Sequence, residues 1–115
     1  MFSDIITDIT IEDVAMKADI PVDALSNECT KEVVLEVAKL CVDWQLIGKY
    51  LKLTEAEIAA IDGDRSTVDE KRIAMLEKWK NKLAFKATYG VLIEALLVAG
   101  KASSAVDVAK IIRTG

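Results

Sequence analysis

Two cysteines, nineteen acids and fifteen basic side chains make up most of what this 115-residue chain could use for polar chemistry, and histidine is absent. Cys29 and Cys41 lie twelve positions apart, without the imidazole companions of a zinc site. Cys41 continues an apolar stripe and reads as a small buried hydrophobe. No glycine-rich phosphate loop occurs, and the acids fall at helix starts and on charged faces, where structural roles account for them. The sequence therefore nominates no catalytic residue, no metal, no cofactor and no small-molecule substrate. What remains is charge available for contact, chiefly the run Lys78, Lys80, Lys82 and Lys86, which meets no acid until Glu94.

The charge is unevenly spread. Residues 1–28 hold seven acids against Lys17, a balance of −6, and the other 87 residues carry +2 of the total of −4. A slightly basic body behind an acidic leader lacks the concentrated basic face that nucleic acid requires. The chain has 52% hydrophobic and 30% charged residues with one proline, which excludes a disordered chain and suits one helical domain. No basic stretch precedes an N-terminal apolar run, and the most apolar segment is interrupted by Glu94. Neither a secretory signal nor membrane insertion is expected. The expected location is cytoplasmic, either free or as the cytoplasmic part of a larger membrane-associated protein.

The elements that must hold these charges follow from spacing. In residues 67–100, Ile73, Leu76, Trp79 and Leu83 form one stripe on a helix. Next, Leu92, Ala95, Leu96 and Ala99, with Val91, Ile93, Leu97 and Val98, make a helix apolar nearly all round, as for a central core element. The spacing places Trp44 and Trp79 in the core rather than in a ligand cage. Thr54 with Glu57 and Thr67 with Glu70 are capping boxes opening two helices. Thr30, Asp43 and Thr88 are further cap candidates, Gly48 a packing glycine, and Gly63 and Gly100 left-handed stops. Ala105, Val108, Ala109 and Ile112 line a last helix. Within the leader, Thr10 and Asp13 predict a helix over 11–18, which Pro21 ends, with one turn over 22–27. A short strand near residues 2–11 is the competing local reading, because IITDITI is β-branched and partly alternating. Six helices between about 30 and 113, with links of two to six residues, imply antiparallel neighbours in a bundle.

The strings DWQLIGKYLKLTEAEIAAI, EKRIAMLEKWKNK and ATYGVLIEALLVAGKASSAVDVAKII resemble the death domain. The order and spacing of Trp44, Ile47, Gly48, Leu51, Leu53, Ile58, Met75, Leu76, Trp79, Ala87, Thr88, Leu92, Ala95, Leu96 and Gly100 carry the resemblance. Its tone is closest to the death domains of ankyrin-type and netrin-receptor-type proteins. The resemblance implies an all-α, six-helix antiparallel Greek-key bundle over residues 30–113, preceded by an acidic extension over 1–29 outside the family pattern. It also implies a non-catalytic protein–protein interaction module that associates with other death-domain proteins or with itself, in intracellular signalling of the apoptotic or innate-immune type.

Such domains meet through opposed surfaces on different helices, so the resemblance nominates two charged patches. One comprises Lys49 and Lys52 with Glu55, Asp62, Asp64 and Arg65. The other comprises Glu36 and Lys39 with Arg72, Lys78, Lys80 and Lys82. The alternative expectation is a structural or autoinhibitory domain of a larger scaffold or receptor tail, docked intramolecularly, with the acidic leader or an upstream domain lying on the Lys78–Lys86 face.

Overall fold

The structure, a computed structural model, describes residues 10–114. The question of a strand near the start falls almost wholly on residues outside that range. Seven α-helices follow in order: α1 (Ile11–Ala18), α2 (Lys31–Ala38), α3 (Trp44–Tyr50), α4 (Glu55–Asp64), α5 (Val68–Leu83), α6 (Tyr89–Val98) and α7 (Ala102–Thr114). Short 3-10 turns at Val22–Ser26 and Ala84–Lys86 precede α2 and α6. The only β-type pairing among the described residues is an isolated antiparallel bridge between Glu28 and Thr88.

Local chemistry starts these helices. Three full capping boxes form, Thr10–Asp13 on α1, Thr54–Glu57 on α4 and Thr67–Glu70 on α5. In each, the hydroxyl accepts from the third helical N–H while the acid accepts from the cap's own N–H. Thr30 and Thr88 cap α2 and α6 through their hydroxyls. Asp43 precedes α3 as expected, but its carboxylate makes no capping bond, because its backbone is not in the extended conformation that turns a cap side chain back onto the helix.

The helix ends divide into expected and unexpected stops. Gly100 takes φ +78°, and the Lys101 and Gly100 amides donate to the Leu96 and Leu97 carbonyls, the paired bonds of a Schellman stop. Gly63 does not stop its helix: α4 runs through it to Asp64 and ends where Arg65 turns extended. The left-handed corner is instead occupied by Lys52 after α3, at φ +74°, where the Leu53 amide donates to the Gly48 carbonyl.

Space is filled by a single core cluster, in which Trp79, Ile47, Met75, Leu76, Ile93 and Leu96 are fully buried. No charged or polar residue is buried among the described residues. α2 packs on α5 and α7 rather than on its sequence neighbour α3, while α3 packs on both α5 and α6. That crossed adjacency is the Greek-key arrangement and not an up-and-down bundle. Gly48 permits the α3–α5 approach, since a Cβ there would lie 3.3 Å from Met75 Cγ. The central α6 is less enclosed than its composition suggests. Val91 is 39% and Val98 58% exposed, and with Glu94 they form one open edge at helical spacing.

The leader shares this core. Val14, Ala15, Ala18, Ile20, Leu25 and Cys29 are buried, and α1 packs along α7 and on α6. The Cys29 amide donates to the Ala87 carbonyl and the Tyr89 amide to the Asn27 carbonyl, clamping residues 27–29 beside the start of α6.

Candidate protein-interaction surfaces

The first nominated patch occupies two places. Lys49, Lys52 and Glu55 sit at the α3–α4 corner, exposed. Asp62, Asp64 and Arg65 lie at the other end of α4, about 14 Å further along a helix that rises about 1.5 Å per residue. Asp62 is engaged by Lys71 at 2.7 Å, a contact between α4 and α5 that sequence spacing alone does not indicate. Lys49, Lys52, Glu55, Asp64 and Arg65 make no ion pair with any described residue.

The second patch separates by helix geometry. At about 100° per residue, Lys80 lies about 160° around α5 from Lys82, so the two cannot share a face. Lys78 and Lys82 turn toward α4, where Glu57 lies 3.9 Å and 2.8 Å from their amines. Lys80 faces the α2 side, lining a groove with Lys31, Val34, Glu77 and Asn81. Glu36 and Lys39 form an exposed pair on α2 at 3.7 Å. Arg72 is mostly covered and lies 3.6 Å from Asp69, and its Nε is buried without a partner among the described residues. The structure therefore brings Lys78 and Lys82 together beside the first patch and leaves Lys80, Glu36, Lys39 and Arg72 on the other side of α5.

Glu57 joins two roles that the sequence reading kept apart. Its Oε1 accepts from Lys82 Nζ at 2.8 Å and from the Thr54 amide at 2.8 Å. The bond from Lys82, then that from Thr54, hold its carboxyl down to about 2. Lys82 Nζ also donates to the Lys52 carbonyl at 2.9 Å. Glu57 was legible only as the third residue of a capping box, because nothing in one-dimensional spacing reports that α5 returns past the start of α4. Beside it, Ala56, Ala60 and Ile61 face Glu77 and Lys78 across an open groove of about 440 Å³.

Both cysteines are free thiols buried in the core. Burial pushes both thiols up to about 12, so each stays protonated. No group of three His, Cys, Asp or Glu side chains suited to a metal ion occurs among the described residues. The leader helix α1 packs on α6 and α7 and not on α5, whereas residues 27–29 at the leader's end run beside Ala87 and Tyr89, with Cys29 close enough to Lys80 to feel its charge. Asp4 and Asp8 fall outside the described residues.

Comparison with known families finds that the death-domain model matches residues 31–112, well over half of the chain. No solved structure gives a significant match.

Proposed function

The chain belongs to the death-domain family, and from that premise we propose that it joins other death domains, or further copies of itself, in intracellular signalling of the apoptotic or innate-immune type. Death domains are protein–protein interaction modules and not enzymes. The finer reading is supported by one observation above the rest: Lys49, Lys52 and Glu55 at the α3–α4 corner, with Asp64 beyond, are exposed charges that make no ion pair with a described residue. On the other side of α5, Lys80, and on a different face of α2 the Glu36–Lys39 pair, are further charges available for contact. Two non-identical patches that meet head to tail allow assembly to continue into an open oligomer. Their charges steer encounter and select partners more than they add affinity.

The proposed setting is the cytoplasm. Among the described residues no helix is long and apolar enough to cross a membrane. Co-sedimentation and pull-down against a panel of death domains, and against the chain itself, test the reading. Binding that weakens as ionic strength rises, and that Lys49→Glu with Lys52→Glu reduces, is the expected result. No binding to any death domain or to itself, from low to moderate salt, would overturn it.

A further inference from the structure

Phe85 stands 73% exposed in the short turn between α5 and α6. The turn is held open by Ala84 at φ +54°, ψ −125°, a conformation costly for any residue with a Cβ. Lys86 follows the ring directly, while Lys82, three residues before it, is held by Glu57 and the Lys52 carbonyl. Lys86 is exposed and pairs with no described residue. The result is an exposed aromatic knob with Lys86 beside it, carried on a turn with strained backbone at Ala84.

The same molecule carries a socket of opposite character. Ile11, Val22, Leu25 and Val91 line an open groove of about 400 Å³ between the leader and α6, with Asp23 and Glu94 at its edge. Val22 is 47% exposed, and Val91 belongs to the uncovered edge of α6. Asp23 and Glu94 are exposed and make no ion pair with a described residue. The groove exists because Gly90 lets the leader backbone come close: a Cβ there would stand 3.0 Å from the Leu25 carbonyl oxygen. Residues 11–25 build one wall of it, and they lie outside the segment that matches the family model.

We propose that this chain self-associates by inserting Phe85 of one copy into the leader–α6 groove of another, with Lys86 meeting Asp23 and Glu94. The proposal rests on the reading of the chain as a self-associating domain and specifies a contact that the charged patches do not include. An exposed aromatic ring is the side chain best suited to anchor such a contact, because it buries a large area with little loss of conformational freedom. The opposite rims fix the direction of insertion.

Sedimentation velocity of the full chain over a concentration series tests it. The wild type gains mass with concentration, and Phe85→Ser and Val91→Lys each weaken association by about tenfold or more while helical content is unchanged. An equimolar mixture of the two variants recovers association, because the first keeps its socket and the second its knob. Lys86→Glu weakens association, and adding Glu94→Lys to the same chain restores it. Three results would overturn the proposal: a wild type that stays monomeric throughout, Phe85→Ser that assembles like the wild type, or a mixture that remains monomeric. Capture of another death domain by a chain that never self-associates, or association lost in Lys49 and Lys52 variants but not in Phe85→Ser, removes this contact and leaves the broader reading standing.

Discussion

Lys82 Nζ lies 2.8 Å from Glu57 Oε1 and 2.9 Å from the Lys52 carbonyl oxygen, so one ammonium ties the tail of α5 to the turn that joins α3 and α4. This bond distinguishes Lys82 from the free charges around it. A charge reversal at Lys82 disturbs the fold's own corner as well as any partner, so Lys49 and Lys52 are the cleaner probes of contact.

The Glu57 carboxyl titrates at about 2 in the fold against 4.5 for the ordinary group. The folded state therefore binds the later proton, and the stability this provides is present above about pH 4.5 and is lost as pH falls toward 2. Glu70, lowered by the Thr67 amide and then by Ser66, acts in the same direction. Denaturant melts at about pH 6 and about pH 3 should show a smaller loss of midpoint for Glu57→Gln than for the wild type.

Two glycines should respond differently to alanine. At Gly48 the added methyl meets Met75 Cγ at 3.3 Å, a flexible side chain that can yield, and helix propensity favours alanine by about 1 kcal/mol. Gly48→Ala is expected within about 1 kcal/mol of the wild type. At Gly90 the methyl meets the Leu25 backbone carbonyl at 3.0 Å, which cannot move without the leader, so a loss of about 1–3 kcal/mol is expected. Equilibrium urea unfolding of the pair checks the contrast.

Ala84 sits at φ +54°, ψ −125°, where glycine carries no Cβ penalty. Ala84→Gly should raise stability by about 1 kcal/mol despite glycine's greater unfolded freedom, read as a higher denaturation midpoint.

The leader's buried side chains should count as core. Leu25→Ala is expected to cost about 2–5 kcal/mol, as for a leucine inside a domain. Deleting residues 1–29 removes the six side chains that are buried among the leader's described residues and uncovers α6 and α7, so a chain beginning at Thr30 should lose cooperative thermal unfolding by circular dichroism.

Cys29 and Cys41 give a prediction at the alkaline end. The ordinary thiol ionises near 9.0 and the folded ones near 12, so the unfolded chain releases its protons first. Stability should be unaffected below about pH 8 and should fall as pH rises through 9. Thiol labelling at neutral pH should go to completion only in denaturant.

The starts of helices were readable along the chain because a capping box is complete within four residues. Thr10–Asp13, Thr54–Glu57 and Thr67–Glu70 need no distant partner to satisfy their amides. Stops were less readable. Gly63 permits a left-handed stop without requiring one, and Lys52 and Ala84 occupy positive φ although neither residue type announces it. Their conformations are imposed by the packing of Leu53 beneath α3 and by the turn that redirects α5 into α6.

The same division holds for the surfaces. Composition and spacing by themselves determined a histidine-free, all-helical domain, its apolar stripes, the residues that resemble a death domain, and the separation of an acidic leader from a basic body. Only the tertiary structure decided which charges are neighbours. It sent Lys78 and Lys82 to Glu57, and Lys80 to the other side of α5. It set the leader against α6 at Gly90, and it left Phe85 and the Val91 edge uncovered. The physical reason is range: caps and stripes are satisfied within a turn or two of one helix, whereas an ion pair between Glu57 and Lys82, or a groove between Leu25 and Val91, exists only after distant segments have been brought together by burial of a common core.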